Sequence, residues 1–134
     1  MEEDAYTLAS LQDDIAQAKA SGLRGVLVHL GASWCRPCQR VKPIWAAQEA
    51  NLSKRVIVRR VDIDTSIDLF GRLKRARVIR GVPASLVYTG LGDIRSASGL
   101  QPSDSVLSAD PGDVASLCTR ILSAPEATKA SDEV

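Results

Sequence analysis

Two cysteines stand three positions apart in the stretch GASWCRPCQR (31–40), directly after the apolar run VLVHL (26–30). A pair at this spacing can hold a metal, close a small disulfide ring or exchange electrons through thiol–disulfide chemistry. Structural zinc needs two further Cys or His ligands. The chain offers only Cys118 and His29, each inside an apolar periodic segment and neither in a second close pair, so no metal site is expected. Redox exchange makes a different demand: one exposed thiol of lowered pKa, and a second near enough to attack a mixed disulfide. Cys35 follows a predicted strand and opens a predicted helix, so its sulfur lies where amide dipoles favour an anion. Cys38, one turn on, is placed to close the ring.

The magnitudes favour such a placement. A free thiol of pKa about 8.5 is about 3% ionised at pH 7, whereas a pKa near ~7 leaves roughly half of it as thiolate, a gain of about 2 kcal/mol in anion stability. Arg36, between the cysteines, adds a cation that favours the thiolate and a more oxidising couple; its plain alternative is a solvated surface charge. Pro37 has no backbone N–H to lose and presets φ early in the helix.

The elements that must position this pair alternate between helix and strand. Ser10 to Asp13 reads as a capping box, after which Leu11, Ile15 and Ala18 share one helical face and Gly22 ends the helix. GVLVHLG (25–31) reads as a strand buried on both faces, VIVRRVDI (56–63) as a second strand and ASLVYT (84–89) as a third. Ser66 to Arg77 reads as a helix, and the turn residues TGLGD (89–93) predict a hairpin whose return strand is Ile94 to Ser98. The last helix is predicted with Asp110 as N-cap, Pro111 at the first helical position and Val114, Leu117, Cys118, Ile121 and Leu122 on one stripe. Leu100 to Asp110 reads as a long surface connection and Ala124 to Val134 as a disordered tail, which leaves a single domain over residues 1–123.

Composition narrows the function classes. A chain of 134 residues, 45% apolar and 25% charged, suits one domain with one core. A formal charge of +1 exerts no general pull on nucleic acid, and no apolar run approaches the roughly 18 to 20 residues of a membrane span, so neither partner is expected. The acidic start MEEDA (1–5) lacks the layout of a secretory signal, and three cysteines, an odd number, argue against a disulfide-stapled secreted scaffold. A cytoplasmic monomer is the expectation.

The ordered set of the strand at 26–30, WCRPC (34–38), Pro43, VDID (61–64), RGVPA (80–84) and Gly99 resembles the thioredoxin family. The likeness runs from about Tyr6 to Gly99 and takes in the final helix. It implies an α/β thioredoxin-like fold, a central mixed β-sheet flanked by helices, with the cysteines beside a cis-proline at Val82-Pro83. It also implies a groove formed by Trp34, Val82, Pro83, Gly99 and Leu100, in which an extended substrate segment docks by strand addition. Cys35 then attacks the substrate disulfide and Cys38 resolves the intermediate. No cofactor is implied; electrons come from a partner reductase or another dithiol donor.

Three departures from the family pattern stand out. His29 occupies the place of a buried carboxylate, Arg60 that of the lysine which partners it, and Gly31 that of a bulky aromatic. Burial and a nearby guanidinium both push a histidine toward neutrality, and a neutral imidazole can accept the Cys38 proton during resolution. The other reading is a hydrogen-bonded core histidine without a catalytic part. Cys118 is expected as a small buried apolar residue, Trp34 as a contact surface and Trp45 as core. The run RLKRARVIR (72–80) contains five cations and no acid; it is either a solvated helix face or a surface steering acidic protein partners toward the dithiol. The function expected is a dithiol–disulfide oxidoreductase reducing protein disulfides. A redox-inactive binding scaffold, or a more oxidising oxidase or isomerase on the same fold, are its alternatives.

Overall fold

The computed structural model describes residues 5–89 and 100–123. The predicted return strand at 94–98, the groove residue Gly99 and the tail from Ala124 lie outside the described residues. Helix α1 spans Leu8–Ala20, strand β1 Gly25–Gly31, helix α2 Arg36–Leu52 and strand β2 Val56–Asp62. Helix α3 spans Ile67–Arg75, strand β3 Ala84–Tyr88, strand β4 Asp104–Val106 and helix α4 Pro111–Ser123.

The strands form one mixed sheet in the order β2-β1-β3-β4. β1 runs parallel to β2 and antiparallel to β3, and β4 pairs antiparallel with β3 at the edge. Because side chains alternate along a strand, the sheet presents two faces. Val26, Val28 and Leu30 of β1 join Leu86 and Tyr88 of β3 beneath Leu11, Ile15 and Ala18 of α1 and Leu69 and Leu73 of α3. On the other face Leu27 and Val87 pack with Val41 and Trp45 of α2 and Val114, Leu117 and Ile121 of α4. Burial on both faces is what the uninterrupted apolar composition of β1 predicts. Gly25 is required by close approach, since a Cβ there would sit 2.1 Å from the Tyr88 carbonyl oxygen.

Two expectations need correction. Helix α1 begins a turn earlier than predicted: Thr7, not Ser10, is its N-cap, with the Ser10 amide on Thr7 Oγ1 at 3.1 Å and the Thr7 amide on Ser10 Oγ at 3.1 Å. Tyr6 and Leu8 pack against the core, which draws the first turn into contact with it. The segment Leu100 to Asp110 is likewise no mere surface connection. Leu100 and Val106 are buried, β4 closes the sheet edge, and Arg120 of α4 grips Asp104 through two hydrogen bonds of 2.7 and 3.1 Å. Serine, aspartate and proline mask a three-residue strand because edge pairing, not local propensity, decides it.

Candidate active site

The dithiol sits where β1 ends and α2 begins. Cys35 is the N-cap of α2 and its Sγ accepts the Cys38 amide at 3.2 Å; Pro37 lies within the first turn, and no acidic residue competes for that turn. A helix start leaves amide donors without intrahelical partners, so the sulfur at this cap faces unopposed positive dipole ends. Cys35 and Cys38 are joined as a disulfide, as ring closure across one helical turn predicts. Cys35 was expected to be exposed, and in this disulfide state it is not: only 5% of the residue meets solvent. The bond and the amide contact draw its sulfur in against the helix start, and access is left to the neighbouring surface. That surface is Trp34, 64% exposed, whose indole N–H donates to Asp64 Oδ2 at 2.9 Å. Arg36 is exposed, as a solvated charge beside the pair would be.

Val82-Pro83 is a cis peptide, as the family resemblance implied, and both residues are half-buried. Pro83 lines a cavity of about 400 Å³ together with His29, Gly31, Cys38, Trp45 and Ser85. A Cβ built on Gly31 would stand 3.5 Å from Cys38 Sγ, so the absent side chain is what opens this space beside the second cysteine. Leu100, assigned to the groove from sequence, has a buried side chain, and its carbonyl accepts the Tyr88 hydroxyl at 2.6 Å.

His29 lies on the face of β1 that meets α2. Its ring centroid is 4.4 Å from that of Trp45, which is buried as expected, and its Nδ1 is 2.8 Å from Ser85 Oγ. Arg60 is its register partner on β2 and forms an ion pair with Glu49 of α2. Burial first, and then the Arg60 guanidinium, lower the His29 pKa from 6.5 to about 3, so the imidazole is neutral at physiological pH. The sequence anticipated that neutrality. It did not anticipate Ser85, Asp64 or Glu49. Ser85 left a signal, one polar residue in an otherwise apolar buried strand, which demands a hydrogen-bond partner without naming it. Elsewhere, Cys118 is buried on the apolar stripe of α4 and burial pushes its thiol pKa up, so it is packing. The cations of the 72–80 run are all exposed; Arg72 pairs with Asp68 at 2.9 Å and Lys74 lies over the Phe70 ring.

The thioredoxin family model matches residues 6–109, from ahead of α1 to the residue before the α4 cap. The chain belongs to the thioredoxin family. Among curated relatives, a thioredoxin of Chlamydia muridarum is 31% identical over 99 residues, covering 72% of this chain and 87% of the relative. A thioredoxin of Chlamydia trachomatis serovar D is 30% identical over 96 residues with the same coverage. The fold matches solved thioredoxins of Fasciola hepatica, with a TM-score of 0.64 at 21% identity over 90% of this chain and 99% of that one. It also matches one of Plasmodium falciparum, at 0.61 and 21% over 89% and 98%. With its disulfide-forming pair at a helix start, this member of the family is a dithiol–disulfide oxidoreductase. No helix among the described residues is long and apolar enough to cross a membrane.

Proposed function

We propose that this protein works as a reductase of disulfides in protein clients. A client segment docks in extended form against Trp34, the Val82-Pro83 peptide and the backbone at Leu100. The Cys35 thiolate attacks one client sulfur: a Cys35–client disulfide forms, the client disulfide breaks, and the released sulfur leaves as a thiolate that takes a proton from water. Cys38, as thiolate, then attacks Cys35 Sγ. The Cys35–Cys38 bond forms, the client's second sulfur departs, and two electrons have passed from the dithiol to the client. Arg36 and Pro37 tune the thiolate by charge and by fixing the helix start, and His29 with its neighbour Arg60 sets the polarity behind Cys38.

The observation that supports this reading best is the sulfur cap of a 17-residue helix beside a largely exposed tryptophan. Re-reduction of the Cys35–Cys38 disulfide consumes two electrons per turnover, which a partner reductase or another dithiol donor supplies, and the reducing cytoplasm is the compartment that suits the pair. The exposed cations from Arg72 to Arg80 run toward Val82-Pro83 in sequence and favour acidic protein partners. Insulin reduction by dithiothreitol tests the function: the protein accelerates it, Cys35→Ser does not, and an inert wild type would rule the reductase out in favour of a scaffold.

A further inference from the structure

We propose that Ser85 donates its hydroxyl hydrogen to Nδ1 of His29 and thereby holds the imidazole as the Nε2–H tautomer, a neutral hydrogen-bond donor toward the Cys38 thiolate. The second half of this inference rests on the reading of Cys38 as the resolving thiol.

The inference follows from counting donors and acceptors. Ser85 is 5% exposed in a strand whose five residues are all buried, and its Oγ lies 2.8 Å from His29 Nδ1. Among the described residues neither Ser85 Oγ nor the His29 ring makes any other hydrogen bond. A hydroxyl has one hydrogen to place, and a neutral imidazole has one N–H and one bare nitrogen. Were Nδ1 to carry the proton and donate it, the buried hydroxyl hydrogen would be left with no acceptor. An unpaired buried donor disfavours that arrangement by roughly tenfold to a hundredfold. With the hydroxyl donating instead, both groups in the sheet are satisfied, and the Nε2–H is left for the cavity that His29 shares with Cys38.

The charged neighbours support a neutral ring. Arg60 of β2 is its register partner, Lys42 of α2 and Asp62 of β2 line the same cavity, Glu49 of α2 is tied to Arg60, and β3 contributes the uncharged Ser85. A ring whose cavity-side nitrogen already carries hydrogen does not take the Cys38 proton. That proton leaves to water through the open cavity, and the Nε2–H stabilises the thiolate that remains. His29 is then a donor where the sequence suggested a base, and Ser85 is a positioning residue that acts through it.

His29 is the only histidine in the chain, so its ring nitrogens are resolved without assignment ambiguity. In ¹⁵N-histidine-labelled protein between about pH 5 and 8, Nε2 is expected to be the protonated nitrogen and Nδ1 the bare one. Finding the proton on Nδ1 overturns the tautomer. In the reduced protein with ¹³Cβ-labelled cysteines, Ser85→Ala is expected to lower the Cys38 thiolate fraction at neutral pH about three- to tenfold. Client release from a preformed Cys35 mixed disulfide should slow by a similar factor, and Ser85→Thr, which keeps the hydroxyl on a strand-compatible side chain, should restore both. An unchanged Cys38 titration in Ser85→Ala overturns the donor role. A wild type that fails to reduce insulin while carrying the Nε2–H proton would sink the reductase reading and leave the tautomer standing.

Discussion

Helices α2 and α4 open with the same local device and put it to different ends. Each has a proline in its first turn and a cap atom that accepts the amide three residues on: Cys35 Sγ from Cys38 at 3.2 Å, and Asp110 Oδ2 from Asp113 at 3.0 Å. At α4 the acceptor is an exposed aspartate side chain, and Asp113 adds a second acid to the same turn. In the first turn of α2 no acid is present, and the acceptor is the sulfur of a disulfide-forming cysteine. One helix start is occupied by acidic side chains and serves stability. The other presents its amide dipoles to one sulfur of a redox-active cysteine pair, which separates a structural cap from a chemical one.

Exchanging the cap atoms tests that contrast most severely. Cys35→Ser should abolish disulfide reduction, by about 10³-fold or more in an insulin assay, because the hydroxyl is not ionised at neutral pH. Asp110→Ala should leave that rate unchanged and cost about 1 kcal/mol in urea unfolding. A loss of activity in Asp110→Ala would break the comparison.

Acid should act through the α2 side more than the α4 side. His29 has a folded-state pKa of about 3 against 6.5 unfolded, so below pH 6.5 the unfolded chain binds a proton that the folded chain refuses. Its contribution is fully present above pH 6.5 and is lost as pH falls toward about 3, on the order of 4 to 5 kcal/mol over the whole span. Asp14 adds to acid lability lower down: burial alone would raise its carboxyl, but the hydrogen bonds from Arg59 and Tyr6 outweigh burial and hold it below its ordinary value. Unfolding free energy of His29→Gln measured across this range should show a much shallower slope than wild type. Equal slopes would remove His29 as the source.

Two smaller effects sharpen the picture. Arg36→Glu gives α2 the resident acid that α4 already has, and should slow iodoacetamide alkylation of Cys35 at pH 7 by about tenfold, with Arg36→Ala affected less. Rates that do not distinguish the three proteins would mean that charge at this helix start does not govern the thiolate. Asp64→Ala releases the Trp34 indole and should raise KM for a protein disulfide about two- to threefold with kcat unchanged. A fall in kcat instead would assign Asp64 to the chemistry.

Much of this was legible in the chain. The apolar run of β1, the proline and stripe of α4 and the cysteine pair at a strand-to-helix junction all act through neighbours one to four residues apart, where periodicity and capping carry the information. Those readings failed where distant contacts outweighed local preference. Tyr6 and Leu8 draw the start of α1 to Thr7, and pairing with β3 turns Asp104–Val106 into a strand despite its composition. Asp64 was visible in VDID, but its use as the anchor of Trp34, thirty residues away, was not.

The sequence by itself determined which sulfur caps a helix, which faces are apolar, and that a lone histidine stands in a buried strand beside the dithiol. Only the tertiary structure set Arg60, His29 and Ser85 in one row across β2, β1 and β3, because register is decided by how the entire sheet packs between its helix layers. A slip of one residue in either pairing would turn Ser85 or Arg60 to the opposite face and leave the imidazole without its hydroxyl or its cation. Ser85 is 56 residues from His29 in the chain, and no local preference acts over that distance.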